Sequence, residues 1–207
     1  CIPTQTGSPD PNGIVNVSVG TINNSTGLEP GGYGNYANLE TNVYRSATYP
    51  VAITLATGYT YDLSVWVDWN NNGVFESGER VGTAATSSAV PVTATINFTV
   101  PAAQPYGRIR MRVGGQDFGP VTDPCRVGTW QAFEDYTLNV TVTPPPLTLS
   151  ATSAAVCAGT SAGPIMLTAG AANYQTFSWS PSTGVTGSVA TGFTFTNTQS
   201  TVYTLTA

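Results

Sequence analysis

The sequence predicts an all-β chain built from two β-sandwich domains in tandem, and three observations carry that reading. Apolar and polar residues alternate over several short stretches, 22 Gly and 15 Pro punctuate those stretches, and no segment shows a convincing amphipathic helical period. Abundant Thr and Val point the same way, because β-branched side chains fit a pleated surface and form helices poorly. Hydrophobic residues at 41% and aromatics at 10% suffice for packed cores, while charged residues at 8% fall far below the roughly 25% of ordinary globular domains.

The elements follow in chain order. Strand candidates open with Ile14 to Ile22 and Val51 to Leu55. Tyr59, Tyr61, Leu63, Val65 and Val67 then alternate with Thr60, Asp62, Ser64, Trp66 and Asp68, and the run ends at the turn signal NNNG. Val90, Val92, Ala94, Ile96, Phe98 and Val100 occupy every second place, with Pro91, Thr93, Thr95, Asn97 and Thr99 between them, as in a strand with one wet face. Arg108 to Val113 and Tyr136 to Val142 complete a first domain over 1–143. Prolines 144–146 cannot donate to a strand ladder and favour extended geometry, so they read as a short semi-rigid linker. In a second domain over 147–207, strands are marked by Leu147 and Leu149, Ile165 and Leu167, Phe177 and Trp179, Phe193 and Phe195, and Val202 to Leu205.

Charge and cysteine usage narrow the function. Net charge is −5 and all six basic residues are Arg, leaving no basic stripe for nucleic acid or an anionic membrane surface. No apolar run approaches the roughly 20 residues of a membrane helix, so membrane insertion is not expected, and an export signal is expected upstream of the CIPTQTG start. Three cysteines and no His exclude mixed Cys/His zinc sites, and the cysteines fit no CxxC spacing. A disulfide, and with it an oxidising compartment, is the better reading. The odd cysteine needs a partner outside the chain or stays free.

The most specific motif is DWNNNGVFESGE, Asp68 to Glu79, which fits the twelve-residue calcium-loop pattern D-x-[DN]-x-[DN]-G-x5-E. Such a loop needs oxygen ligands at positions one, three and five, a glycine at six, a main-chain carbonyl at seven and a bidentate carboxylate at twelve. Asp68, Asn70, Asn72, Gly73, Val74 and Glu79 fill those places, with Glu76 at nine. The flanks read as strands, so the expected Ca2+ is structural, and two neutral Asn ligands imply weak binding, on the order of 10⁻⁴ to 10⁻³ M. The plainer alternative makes NNNG a hairpin turn with solvated acids around it.

Arg108, Arg110 and Arg112 share one strand face, and downstream Glu134 and Asp135 can pair with them. Structural ion pairs are the simpler reading, an acidic-ligand site the sharper one. Without His or Lys the usual general bases and Schiff-base routes are missing, and nothing marks two carboxylates set across a cleft, so the chain reads as no enzyme. Tyr33, Tyr36, Tyr106 and Trp130, near glycines, read as core or corner packing, with stacking on sugar rings as the alternative.

VWVDWNNNGVFESGE, followed by RIRMRV, a cysteine and FEDYTLNV, resembles the GEVED domain of secreted Bacteroidetes-type surface proteins over roughly Cys1 to Val142. Where the family motif reads Gly-Glu-Val-Glu-Asp, this chain has Gln131, Ala132, Phe133, Glu134 and Asp135, so any role of the first glutamate does not carry over. The resemblance implies a jelly-roll-like first sandwich, a Cys1–Cys125 disulfide, export by the type IX route and a place at the cell surface. AVCAGTSAGPIMLTAG, FSWSPSTG and TVYTLTA are similar to PKD-like, immunoglobulin-like repeats, which implies a partner for Cys157 beyond Ala207 and a longer protein. The resulting expectation is a non-catalytic extracellular structural or adhesive module, a calcium-stiffened stalk or filament block that associates with itself or with other surface modules. Strand addition at open sheet edges is the physical route to self-association. The alternative is a carbohydrate-binding accessory module of a secreted hydrolase that recognises polysaccharide.

Overall fold

Alternating side chains sort into two facing sheets in the first part of the chain. The computed structural model describes residues 1–7, 13–27, 29–56, 60–86, 92–117, 119–144 and 146–207, so Tyr59, Val90 and Pro91 of the predicted strands lie outside the described residues. The chain is all-β and divides into two units, Cys1–Val142 and Thr143–Ala207.

Strands of the first unit are β1 (Thr4–Gln5), β2 (Ile14–Val19), β3 (Ile22–Ser25), β4 (Tyr33–Tyr44), β5 (Thr48–Leu55) and β6 (Tyr61–Val67), then β7 (Arg80–Ala85), β8 (Val92–Thr99), β9 (Gly107–Asp117), β10 (Val127–Gly128) and β11 (Gln131–Thr141). One sheet runs β4-β11-β9-β6-β7 and the other β3-β2-β5-β8, with β1 and β10 forming a small separate pair. Val17, Val51, Ile53 and Ile96 of the four-stranded sheet share one core with Leu63, Val65, Met111 and Leu138 of the five-stranded sheet. Each such fully buried side chain contributes about 1.5–3 kcal/mol relative to exposure, so this shared core is what holds the sheets face to face.

Three departures from the sequence reading have local causes. The run Ile14 to Ile22 is a hairpin, broken where Gly20 takes φ +55° and sits against Thr41. β4, within the Gly- and Asn-rich YGNYANLETNVY, has no apolar alternation; it forms because it pairs in parallel with β11 along most of its length. β6 has no wet face, since Ser64 and Trp66 are fully buried on the side that alternation assigns to solvent. A second cluster of Trp66, Phe75, Val121 and Phe133 covers that side, and Ser64 Oγ donates to the Val121 carbonyl at 2.7 Å. Gly114 makes the cover possible, because the Phe133 ring and Trp66 occupy the space a Cβ would need.

The second unit consists of short strands: β12 (Thr148–Leu149), β13 (Ser161–Ile165), β14 (Leu167–Ala169), β15 (Ser178–Ser180), β16 (Val185–Ser188), β17 (Gly192–Thr196) and β18 (Thr204–Thr206). They pair as β12-β14, β13-β17-β16 and β15-β18. Its core is small: Trp179 meets Phe193 and Phe195 edge-on at 5.4 and 4.9 Å, beside Ala162. No Asp, Glu, Lys or Arg follows Asp135, so packing and strand pairing, not ion pairs, hold this unit.

Candidate functional site

The Asp68–Glu79 loop leaves the buried end of β6 and returns into β7. Its start is tied to the sheet, since the Asp68 N–H donates to the Arg110 carbonyl at 2.9 Å. The Asp68 carboxylate is 2% exposed and turns inward, accepting the N–H groups of Asn72 at 3.0 Å and Gly73 at 2.9 Å. Gly73 stands at φ +82°, the left-handed turn that position six of the pattern requires. Glu79, also buried, reaches back across the loop: its two carboxylate oxygens accept the N–H of Asn70 at 3.3 Å and of Glu76 at 3.1 Å. Both ends of the motif therefore bond to the backbone of the loop between them.

Between them, the Glu76 carboxylate accepts Nδ2 of Asn70 at 2.9 Å and Nδ2 of Asn72 at 2.7 Å. These amide donors hold the Glu76 carboxyl below its ordinary range, whereas burial pushes the Glu79 carboxyl up, aided by the neighbouring Glu76. A buried carboxylate beside another acid is the electrostatic situation a cation relieves. The donor set is hard oxygen throughout, three carboxylates, two amides and the Val74 carbonyl, which suits Ca2+. Among the described residues no three acidic or cysteine side chains converge, so a cation here draws on Asn70, Asn72 and Val74 as well as the acids.

The loop is also anchored by a residue the ligand pattern does not count. Phe75 inserts its ring into the Trp66–Val121–Phe133 cluster, and the Arg112 guanidinium lies over that ring at 4.7 Å. Arg112 is fully buried and bonded to Asp135 in a bidentate pair, Nε to Oδ1 at 2.6 Å and Nη2 to Oδ2 at 2.8 Å. Nη1 donates to the Pro124 carbonyl at 2.6 Å and Nη2 to the Cys1 carbonyl at 3.2 Å. Cys1 is disulfide-bonded to Cys125 with Cα atoms 5.6 Å apart. One guanidinium thus touches the disulfide segment, the acid of β11 and the aromatic anchor of the loop. Phe75, an aromatic in the polar second half of the loop, was the sequence signal for this anchor.

The arginine row does not face Glu134 and Asp135 together. Neighbouring residues of a strand point to opposite faces, and only Asp135 lies on the arginine side, opposite Arg112 in the register. Arg108 pairs instead with Glu40 at 2.6 Å on the exposed surface, and Arg110, opposite Thr137, has no ion pair among the described residues. Glu134 points into the core, fully buried, and accepts Tyr136 Oη at 2.6 Å and Thr26 Oγ at 2.9 Å. Burial raises its pKa to about 7, with the nearby Glu29 adding to the rise.

The aromatic residues do not form one platform. Tyr33 is tied through its hydroxyl to Asp135 at 2.8 Å, with its pKa pushed up to about 12 by burial and that carboxylate. Tyr36 bonds Glu29 and stacks on Tyr136. Tyr106 and Trp130 are half-exposed, but they precede β9 and β11, which are antiparallel, with Gly107 opposite Val140 and Gln116 opposite Gln131. The two rings stand at opposite ends of that pair, roughly 30 Å apart at about 3.3 Å per residue. Cys157 is exposed and unpaired.

Fold and site together define an all-β module with an acidic twelve-residue loop braced against a buried arginine. Residues 62–139 match the GEVED domain family, a span that contains the loop, the arginine strand and the acid pair. No match was found among the curated proteins.

Proposed function

We propose that this chain is a non-catalytic extracellular structural module of a larger surface protein, with a Ca2+ ion held by Asp68, Asn70, Asn72, Val74, Glu76 and Glu79 as its stiffening element. One observation carries the reading: the buried carboxylates of Asp68 and Glu79 both accept backbone N–H groups of the loop between them, while Phe75 pins the loop to the cluster around Arg112. Bound there, the cation supplies the positive charge that two neighbouring glutamates lack and fixes the loop to the sheet. The Cys1–Cys125 disulfide supports an oxidising location. Asp135 is spent on Arg112 and Glu134 is closed in the core, so the acid pair that draws the eye in the sequence has no access to a substrate. The second unit is read as an immunoglobulin-like, PKD-like repeat whose uncharged strands suit stacking in a stalk or filament.

A thermal melt in millimolar calcium and then in chelator tests this. With calcium at ten to a hundred times Kd, linkage stabilises the first unit by about 1.4–2.7 kcal/mol, which raises Tm by several degrees, and Glu79→Gln abolishes the rise. Identical melts in both conditions make the loop a plain turn.

A further inference from the structure

The outer face of the four-stranded sheet has a composition unlike the rest of the first unit. On β8, Thr93, Thr95, Asn97 and Thr99 are exposed, while the alternate Ile96 and Phe98 are buried. β5 adds Thr48 and Thr54 on the same side, and the β2–β3 hairpin adds Asn16, Asn23 and Ser25. No charged residue occurs in these four strands. The outer side of the five-stranded sheet, by contrast, carries the Arg108–Glu40 pair and Arg110.

These polar groups are ordered by their neighbours. Thr48 and Thr99 bond each other across strands at 2.8 Å, as do Thr54 and Thr93 at 2.8 Å. Asn16 Nδ2 donates to Asn23 Oδ1 at 2.8 Å and to Ser25 Oγ at 3.1 Å. In each threonine pair one hydroxyl hydrogen and spare lone pairs are left for a further partner. The face therefore offers donors and acceptors in rows, about 4.8 Å apart across strands and about 6.8 Å along them. Its aromatics turn inward: Tyr49 stacks on Phe98 and its hydroxyl accepts the Tyr44 N–H.

We propose that this face docks a neutral, hydroxyl-rich polymer, a polysaccharide chain laid across β8, β5 and β2. An ionic ligand finds no counter-charge here and an apolar one only Pro50 and Ala52 of β5, whereas a repeating neutral polyol matches both the absence of charge and the repetition of hydrogen-bonding groups. Single contacts of this kind are weak, so affinity comes from several rows engaged by one chain, and mono- or disaccharides bind poorly. The site is separate from the calcium loop, and binding persists in chelator.

Native electrophoresis reads this directly, because a net charge of −5 carries the protein toward the anode. Gels cast with mixed-linkage β-glucan, galactomannan or xyloglucan are compared with gels containing alginate, an anionic control. The expected result is retardation by at least one neutral polymer and none by alginate. The triple variant Thr93→Val, Thr95→Val, Thr99→Val keeps the β-branched shape and weakens apparent affinity at least tenfold, while Arg110→Ala on the other sheet leaves it unchanged. Thr95→Lys, a single charge in mid-face, decides the matter if the triple variant loses its melting transition, since it too abolishes retardation. The proposal is overturned if no neutral polymer slows the protein, if alginate slows it equally, or if the threonine variants are retarded like the parent.

Discussion

Asp135→Asn removes the negative half of a buried pair and leaves the Arg112 guanidinium charged in the interior. Arg112 is fully buried, and its other acceptors, the carbonyls of Pro124 and Cys1, carry no formal charge. Losing one partner of a buried pair costs about 3–5 kcal/mol, which in a unit of this size lowers Tm by roughly 10–20 °C. The exposed Arg108–Glu40 pair is the internal reference, its side chains being 72% and 37% exposed; solvent screens it, so Arg108→Ala leaves the urea midpoint nearly unchanged. Urea unfolding followed by tryptophan fluorescence suits the comparison, since Trp66 lies in the cluster that Arg112 adjoins through Phe75. A Leu or Met pair in place of Asp135 and Arg112 does not restore stability, because Tyr33 Oη and the Pro124 and Cys1 carbonyls lose their partners. If Asp135→Asn unfolds at the same urea concentration as Arg108→Ala, the view of Arg112 as the brace of the loop is wrong.

Two further outcomes follow from the same contacts. Glu134 has a folded pKa near 7 against an ordinary 4.5, so the unfolded chain loses this proton first as pH rises. Its contribution to stability is full below about 4.5 and is lost through pH 7, by about 3 kcal/mol in total. Subtracting the pH–stability curve of Glu134→Gln from that of the parent isolates the term, and a flat difference between pH 4 and 8 rejects it. The Cys1–Cys125 bridge closes a sequence separation of 124, for which the chain-entropy relation gives about 4–5 kcal/mol. Replacing both cysteines by Ser lowers the urea midpoint accordingly, and a midpoint within error of the oxidised parent contradicts that account.

What was legible in the sequence was whatever has a local period or a local spacing. Alternation located β5, β6, β8, β9 and β11 within a few residues, and the offsets of Asp68, Asn70, Asn72, Glu76 and Glu79 picked out a loop whose side chains bond to one another and to its own backbone. Non-local information was not legible. β4 is a strand because β11 lies beside it, which no feature of YGNYANLETNVY announces. Trp66 and Ser64 are buried because the segment around Val121 crosses them, more than fifty residues away in the chain. The acid pair shows a subtler failure: Glu134 and Asp135 read as one motif, yet strand geometry sends one into the core and the other to the arginine.

The loop, the disulfide and the arginine strand form one structural unit. These features lie far apart in the chain: a loop of hydrogen-bonded polar groups, a disulfide bridge and a guanidinium in a sheet. Arg112 joins them, since its donors fix the Cys1 and Pro124 carbonyls, its charge is matched by Asp135, and its face covers Phe75 of the loop. A cation bound between Asp68 and Glu79 therefore acts on a segment already pinned at Phe75 and at the Asp68 N–H. Under the proposal such a cation stiffens the sheet to which the loop is attached, rather than ordering a free loop. An ordering event alone lowers calcium affinity by its entropy cost and leaves the rest of the unit untouched. A stiffening event protects the backbone amides of β6 and β9 from hydrogen exchange as well, and that separates the two accounts.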